Sequence, residues 1–284
     1  MALILDGKEV AQSVLERLTQ TIDSLRMEGK RIPQLVVIQV GEDPASSVYV
    51  RKKKETAEAV GMLSRIIHLP SEVSKSSLLQ EIQTLNNDKK VDGILLQLPL
   101  PKHIDEMPVL ESIRPDKDVD GFHPFNVGRL ASGLTPFALP CTPAGVMTML
   151  RYYEIPLTGQ HAVIVGRSNI VGKPMAQLLL QAHATVTICH SRTKDLPHHL
   201  KQADLVILAV GKPQAFTGDL FKKGVVVVDV GISRLDSGKL VGDADFPSVR
   251  EIASAITPVP GGVGPMTIAT LLENTLHLYA QVLS

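Results

Sequence analysis

The sequence lacks most features of secreted, metal-binding and membrane proteins. Its two cysteines, Cys141 and Cys189, match no metal or redox spacing, and its nine histidines are scattered without metal-ligand pairing. No uncharged apolar stretch approaches the roughly 20 residues of a membrane span. No basic segment followed by a long apolar run indicates a signal peptide. We therefore expect a reduced, cytoplasmic protein that holds no metal.

A net charge is also lacking. Lysine plus arginine and aspartate plus glutamate number 29 each, so no excess charge favours a nucleic acid or an anionic membrane as the partner. The length of 284 residues suggests two domains on a prior of roughly 150 residues each.

Strand-like and helix-like segments alternate along the chain, which predicts an α/β fold with largely parallel sheets. The β-branched run from Val225 to Val230 is typical of a strand covered on both faces. Strands are expected at 35–40, 66–69 and 93–99, and near residues 162, 185, 205 and 225. Helices are expected at 10–27, 46–60 (with Asp43 as N-cap), 78–85, 144–153, 175–180 and 267–282.

A strand–turn–helix pattern in the second half predicts a dinucleotide site. The apolar run 162–165 leads into Gly166-Arg167-Ser168 and then into a helix, a geometry that presents backbone N–H groups to a phosphate. The strict G-x-G-x-x-G fingerprint fails, because Ser168 stands at its middle glycine. An ordinary strand–helix turn is therefore the alternative.

The next strand of this region ends without the acid that would hold the ribose of NAD. The residues there are His190-Ser191-Arg192-Thr193. They offer hydroxyl groups and a cation, as a 2′-phosphate requires. We therefore predict that the cofactor is NADP.

A basic run at 51–54 contains one lysine that helical spacing separates from its neighbours. Arg51 and Lys54 each precede a glutamate by four residues, which is typical of surface ion pairs. Lys53 instead shares its stripe with Tyr49 and two apolar residues, so it is expected to face inward as a candidate proton-transfer group. A solvated basic helix face is the alternative.

Three further features are candidates for ligand contact. Gln97 follows a buried strand at its carboxyl end, where open α/β sheets place ligands, although a strand-end amide in solvent is the alternative. Three aspartates, Asp116, Asp118 and Asp120, lie within five residues, and a cluster of Asx turns would explain them without a ligand. The glycine-rich stretch 257–267 lacks the ending of a Walker loop, so it either admits a flat ligand or forms a tight turn.

These motifs occur in order along nearly the whole chain. Together they resemble the bifunctional methylenetetrahydrofolate dehydrogenase/cyclohydrolase family of the bacterial FolD type. The segments that carry the resemblance are 49–54, 93–101, 116–121, 166–172 and 260–267. The resemblance implies an N-terminal α/β catalytic domain and a Rossmann-type NADP-binding domain with a cleft between them. The implied boundaries are 1–140, completed by helix 266–284, and 141–265.

The resemblance also implies two successive reactions in a cytoplasmic homodimer. The first is NADP-dependent oxidation of 5,10-methylenetetrahydrofolate to 5,10-methenyltetrahydrofolate, and the second is hydrolysis to 10-formyltetrahydrofolate. Lys53 is implied as the proton-transfer group, Tyr49 as a stacking surface for the folate, Gln97 as the group that orients the lysine, and Asp120 as the pterin-binding acid.

The other expected contacts fall into two sets. The remaining folate contacts are Leu96, Leu98, Pro260, Gly261, Gly262, Val263, Gly264, Pro265 and Thr267. The cofactor contacts, from the motif and the resemblance together, are Gly166, Arg167, Ser168, Ser191, Arg192 and Ile232.

Two other hypotheses stay open. One is an NADP-dependent dehydrogenase of another small molecule, of the shikimate type, which also joins an N-terminal lysine domain to a Rossmann domain. The other is a non-catalytic NADP or folate sensor. Binding of methylenetetrahydrofolate tests the first, and a turnover assay tests the second.

Overall fold

The computed structural model describes residues 2–283, and the side chains of all of these except residues 44, 45, 282 and 283. Residues 1 and 284, which the expected domain boundaries include, lie outside that range. The chain divides into two compact units. The six-stranded unit comprises Met1–Gln12 and Thr142–Thr267, and the three-stranded unit comprises Ser13–Cys141 and Ile268–Ser284.

The six-stranded unit is built on one parallel sheet. Its strands are β1 (Leu3–Ile4), β5 (His161–Val165), β6 (Thr185–Cys189), β7 (Leu205–Leu208), β8 (Val226–Asp229) and β11 (Ala255–Ile256). They lie in the order β1-β11-β8-β7-β5-β6, and every pair is parallel. Also present are the hairpin β9 (Ser233–Arg234) with β10 (Leu240–Val241), helices α7 (Gly172–Gln181), α8 (Leu196–Gln202) and α9 (Phe246–Ile252), and a 3₁₀ turn (Gly218–Leu220).

The three-stranded unit has a smaller parallel sheet. Strands β2 (Gln34–Val40), β3 (Leu63–Leu69) and β4 (Gly93–Leu96) lie in the order β3-β2-β4. Its helices are α2 (Pro44–Ala59), α3 (Lys75–Asn87), α4 (Glu106–Leu110) and α5 (Pro124–Ala131). Three more helices contain the boundaries between the two units along the chain: α1 (Gly7–Met27), α6 (Cys141–Tyr152) and α10 (Val263–Leu283). Within residues 2–283, no helix combines the length and apolarity that crossing a membrane requires.

Each sheet builds its own core on its central strands, which are apolar and buried on both faces. Val163, Val206 and Val227 are fully buried in the six-stranded unit. Val36 and Ile38 are fully buried in the three-stranded unit. In the valine run at 225–228, Val225, Val227 and Val228 are at most 1 % exposed and Val226 is half-buried, so both faces of the strand are covered as expected.

Two sequence expectations need correction. The first twelve residues, expected in the N-terminal domain, belong to the six-stranded unit, because Leu3 and Ile4 pair with Ala255 and Ile256. Helices α6, α7 and α10 begin two residues before a proline, at Pro143, Pro174 and Pro265, whereas each was expected to begin after it. The N–H groups of a first helical turn have no partner within the helix, so proline is accommodated there.

Candidate active site

Lys53 and Gln97 form the centre of the candidate site in the three-stranded unit. Asp43 caps helix α2, since its carboxylate accepts the N–H of Ser46 at 2.7 Å. Lys53 Nζ, on the same helix, donates to Gln97 Oε1 at 3.0 Å. Gln97 Nε2 donates to Leu98 O at 2.6 Å, which orients the amide with its oxygen toward the lysine. An ammonium group has three hydrogens, so this contact leaves others for a substrate.

The neighbours of Lys53 have the ion pairs that helical spacing predicts. Arg51 lies 3.8 Å from Glu55, and Lys54 lies 3.7 Å from Glu58. Both pairs are solvent-exposed, so each contributes little to stability. Lys53 thus differs from Arg51 and Lys54 in having a neutral amide, and not a glutamate, as its partner.

The stripe that carries Lys53 runs from the core to the surface. Ala57 and Val60 are buried, but Lys53 is half-buried and Tyr49 is 43 % exposed. The expectation that the stripe faces inward is therefore wrong at its N-terminal end. An exposed ring one turn before the lysine offers a flat apolar face to a ligand ring.

Asp120 follows a segment that runs beside β4. The N–H of Ile94 donates to Lys117 O at 2.8 Å, and Ile94 forms a parallel bridge with Asp118. Burial raises the pKa of Asp120 to about 6, the positive charge of Lys53 opposes this rise, and the charge of Asp118 adds to it. The carboxylate is therefore ionised at neutral pH and becomes protonated as the pH falls through about 6.

The three aspartates of residues 116–120 have different partners. Asp116 pairs with Arg114, whose Nε lies 2.9 Å from its Oδ1. Asp118 accepts hydrogen bonds from Asn126 Nδ2 at 3.0 Å and from the N–H of His123 at 2.8 Å, so it orders the loop through contacts longer in range than an Asx turn. Asp120 is the member of the three that interacts with the Lys53 charge. Among residues 2–283, no group of three or more His, Cys, Asp or Glu side chains is arranged to hold a metal ion.

Leu96 and Leu98 flank Gln97 and differ in burial. The Leu96 side chain is buried in the core of the unit, and Leu98 is half-buried against the same core. These side chains support the position of Gln97. The contact of these two residues with the folate stays a prediction.

The glycine-rich loop at 257–262 belongs to the six-stranded unit, and its glycines have a local explanation. Gly261 has a φ of +105°, and its carbonyl accepts the N–H of Gly7 at 2.9 Å. A Cβ at Gly262 would lie 2.5 Å from Pro258 O, and one at Gly7 would lie 1.7 Å from Gly262 O. The tight-turn explanation therefore accounts for Gly262.

The rest of the implied folate contact at 260–267 lies at the end of this loop and in the start of α10. Pro260 is exposed, Gly264 and Pro265 are half-buried, and Val263 is buried. Thr267 Oγ1 lies 3.0 Å from Thr142 Oγ1. The part of this segment that a ligand can reach is thus its loop and the first turn of the helix, and the folate contact itself stays a prediction.

The turn after β5 is a tight turn built on two glycines. Gly166 has a φ of +135°, and a Cβ there would lie 2.4 Å from Ala209 O. A Cβ at Gly172 would lie 2.3 Å from Gly166 O, so both positions require glycine. Ser168, which breaks the strict fingerprint, accepts the N–H groups at the start of α7 at 3.1 and 3.4 Å. Arg167 is exposed beside it.

The loop after β6 begins at the same edge of the sheet as this turn. Strands β5 and β6 are parallel, and Val165 stands opposite Cys189 in their register. Gly166 and His190 therefore begin their loops at the same level. Ligands of open parallel sheets bind at this carboxyl edge.

The loop after β6 is a tight turn that displays a hydroxyl and a cation. The N–H of His190 donates to Thr193 Oγ1 at 2.8 Å, and the N–H of Thr193 donates to His190 O at 2.8 Å. Ser191 and Arg192 are exposed between them. With Arg167 after the adjacent strand, these groups form a cationic edge suited to a phosphate.

Two buried aspartates, which the sequence did not reveal as site residues, bind the backbone of the loops that follow β7 and β8. Asp229 ends β8 and accepts backbone N–H groups of residues 231, 243 and 244 at 2.8–3.0 Å. Asp243 accepts those of residues 210–212, after β7, at 2.7–3.1 Å. An acid that ends an apolar strand is a signal that could have revealed Asp229. Asp243 offers no local signal, because its partners lie 31 to 33 residues away.

Ile232, an expected cofactor contact, projects from the loop that Asp229 holds. It is 46 % exposed and lies three residues after Asp229. Burial raises the pKa of Asp229 to about 6, the backbone N–H groups oppose the rise, and the charge of Asp243 adds to it. The loop after β8 is therefore anchored by a carboxylate whose ionisation is costly.

Comparison with known proteins gives the same result for both parts of the chain. The family model described as tetrahydrofolate dehydrogenase/cyclohydrolase, catalytic domain, matches residues 5–120. The family model described as tetrahydrofolate dehydrogenase/cyclohydrolase, NAD(P)-binding domain, matches residues 140–283. The bifunctional protein FolD of Magnetococcus marinus is 57 % identical over 277 residues, which cover 98 % of this chain and 97 % of that protein.

Solved structures are also similar. The bifunctional FolD methylenetetrahydrofolate dehydrogenase/cyclohydrolase from Campylobacter jejuni matches with a TM-score of 0.97 and 52 % identity, covering 99 % of this chain and 100 % of that one. The Trypanosoma brucei enzyme, solved with NADP cofactor and inhibitor, matches with a TM-score of 0.95 and 38 % identity, covering 99 % and 98 %. The likeness thus extends over nearly the whole chain.

Proposed function

The chain belongs to the tetrahydrofolate dehydrogenase/cyclohydrolase family, and on that premise we propose how its residues divide the work of two successive reactions. The enzyme oxidises 5,10-methylenetetrahydrofolate to 5,10-methenyltetrahydrofolate with NADP and hydrolyses the product to 10-formyltetrahydrofolate. Because both halves match models of this family, the hypothesis of a shikimate-type dehydrogenase is set aside.

The six-stranded unit holds the cofactor in this proposal. The residues present fit NADP: Gly166 and Gly172 let the backbone turn closely, and the exposed Arg167, Ser191 and Arg192 offer two cations and a hydroxyl to a 2′-phosphate. Bound NADP⁺ supplies the hydride acceptor for the oxidation. The protein orients the cofactor there, and Ile232 contributes an apolar contact from the next loop.

The three-stranded unit holds the folate. Tyr49 presents its exposed ring to the flat ring system of the substrate, and Asp120 accepts hydrogen bonds from the amino and ring N–H groups of the pterin. Hydride transfer needs orientation rather than a proton, so these two contacts carry the first reaction.

The second reaction needs a group that moves protons. Water adds to the methenyl carbon and loses a proton, the bond from that carbon to N5 breaks, and N5 receives a proton, leaving the formyl group on N10. The Lys53–Gln97 pair is the observation that carries this proposal, because Gln97 Oε1 holds Nζ in place while other positions on the nitrogen stay available. As a neutral amine, Lys53 Nζ accepts the proton that the water loses, and the ammonium formed in this way donates a proton to N5.

We also propose that the protein is a cytoplasmic homodimer, as the family resemblance implies. Sedimentation equilibrium of the full chain tests the oligomeric state. A single species with the mass of one 30.7 kDa chain at micromolar concentration would contradict it.

An absorbance assay of methenyltetrahydrofolate formation tests the function as a whole. The purified chain is mixed with methylenetetrahydrofolate and either NADP⁺ or NAD⁺. We expect turnover with NADP⁺, followed by loss of the methenyl signal as hydrolysis proceeds. Tight binding of both ligands without turnover would favour the sensor hypothesis.

A further inference from the structure

A buried amide on the C-terminal helix contacts the segment that carries Asp120. Asn274 lies on α10 and is 9 % exposed. Its Nδ2 donates to Val119 O at 2.8 Å and to Leu139 O at 2.9 Å. The same nitrogen lies 3.5 Å from Cys141 Sγ. One amide group therefore joins the residue before Asp120 to the segment that leads into α6.

These two segments also contact each other directly. Gly121 has a φ of +69°, and a Cβ there would lie 2.6 Å from the carbonyl carbon of Leu139. Cys141 Sγ donates to Val119 O at 3.3 Å. Residues 119–121 thus pack closely on residues 138–141, and Asn274 is the polar group that both share.

The Cys141 thiol extends this network to the Asp120 carboxylate. Burial raises the pKa of Cys141 well above its usual value, so the thiol keeps its hydrogen at neutral pH. The positive charge of Lys53, and after it the neighbouring thiol, oppose the rise that burial causes in the pKa of Asp120. Through the Val119 carbonyl, Cys141 therefore helps to hold the residue that precedes Asp120.

We propose that Asn274 is a positioning residue for Asp120. By holding Val119 and Leu139 together, Asn274 fixes the main chain that precedes Asp120 and thereby keeps the Asp120 carboxylate in its place. The inference rests on the folate-binding role proposed above for Asp120. Asn274 acts through the loop and does not contact the substrate in this proposal.

The test separates the hydrogen bonds of Asn274 from its packing. Asn274→Leu keeps the approximate volume and removes both N–H donors, and Asn274→His returns one ring N–H near the same position. Thr270→Val is the matched control, because Thr270 is buried one turn earlier on α10 and its hydroxyl has no hydrogen-bond partner among the described residues. Thermal unfolding and the KM values for methylenetetrahydrofolate and NADP⁺ are measured for all three.

We expect Asn274→Leu to raise the KM for the folate about tenfold, because buried carbonyls lose their donors and the loop shifts. The KM for NADP⁺ should stay at the parent value, Asn274→His should recover part of the loss, and Thr270→Val should match the parent. The pH at which the folate KM begins to rise should move below 6, since a looser loop removes part of the burial that raises the pKa of Asp120.

Asp120→Ala in the same assay shows whether a negative result contradicts the role of Asp120 or that of Asn274. If Asp120→Ala leaves the folate KM unchanged, the proposed role of Asp120 is wrong. If Asp120→Ala raises it and folded Asn274→Leu does not, or if Asn274→Leu raises both KM values equally, the positioning role is overturned. Should Asn274→Leu fail to fold, Cys141→Ala breaks the same network from its other end and is judged by the same two outcomes.

Discussion

Replacing Lys53 with methionine is the most direct test of the proposed chemistry. Methionine keeps most of the length and apolar stem of the side chain and removes the only atom that moves a proton. General acid–base catalysis contributes about 10²–10⁴-fold, so cyclohydrolase activity should fall by roughly 100-fold or more. A 100-fold loss corresponds to about 2.7 kcal/mol of transition-state stabilisation.

The same substitution should change stability much less. Lys53 is half-buried, and its hydrogen bond to Gln97 is reached by solvent. Water can therefore replace the lysine at Gln97 Oε1, and the net loss should stay within the roughly 0.5–1.5 kcal/mol of an ordinary hydrogen bond. Thermal unfolding measured beside activity separates a catalytic loss from an unfolded sample.

The two activities should respond unequally. Hydride transfer needs orientation and no proton, so the dehydrogenase should lose less than the cyclohydrolase, and the methenyl intermediate should accumulate in the absorbance assay. Lys52→Met and Lys54→Met are the controls, because Lys54 pairs with exposed Glu58 and Lys52 is itself exposed. Parent-rate hydrolysis by Lys53→Met, or equal losses in all three variants, would refute the assignment.

Three further perturbations follow from the charges of the site. Asp120→Ala should weaken folate binding far more than NADP binding. In the parent, the KM for the folate should rise as the pH falls through about 6, because the Asp120 carboxylate becomes protonated. Normal folate binding by the variant would mean that Asp120 only shapes its turn. Arg192→Ala should lower kcat/KM for NADP⁺ about tenfold and spare that for NAD⁺, since one charge-assisted hydrogen bond contributes roughly 1.5–3 kcal/mol; equal losses would contradict this. Because burial raises the folded-state pKa of Asp229 from 3.8 to about 6, the stability that its neutral form contributes is complete below 3.8 and is lost as the pH rises through about 6. This pKa difference corresponds to about 3 kcal/mol, and urea unfolding of Asp229→Asn should show a smaller pH dependence over that window, whereas an unchanged slope would argue against it.

The sequence by itself determined the features that depend on neighbouring residues. The alternation of apolar runs and amphipathic segments predicted all three strands of the smaller sheet and four strands of the larger one, β5 to β8, because a strand and a helix differ in the spacing of their buried residues. Four-residue spacing separated Lys53 from Arg51 and Lys54, whose glutamate partners lie one turn away on the same helix. The missing acid after β6 predicted the NADP preference, since the chemistry of a 2′-phosphate is read from a single loop.

Only the tertiary structure decided which distant residues meet. Lys53 and Gln97 are 44 residues apart, and Asn274 and Val119 are 155 apart. Strand β1 finds its partner at the other end of the chain, which moved the first residues into the six-stranded unit. No periodic pattern in the sequence indicates a two-residue strand. The same holds for a buried amide, and for a carboxylate that accepts N–H groups of another loop. The position of each such feature depends on tertiary packing and on the hydrogen bonds that buried polar groups require. These contacts form only when the whole chain has folded.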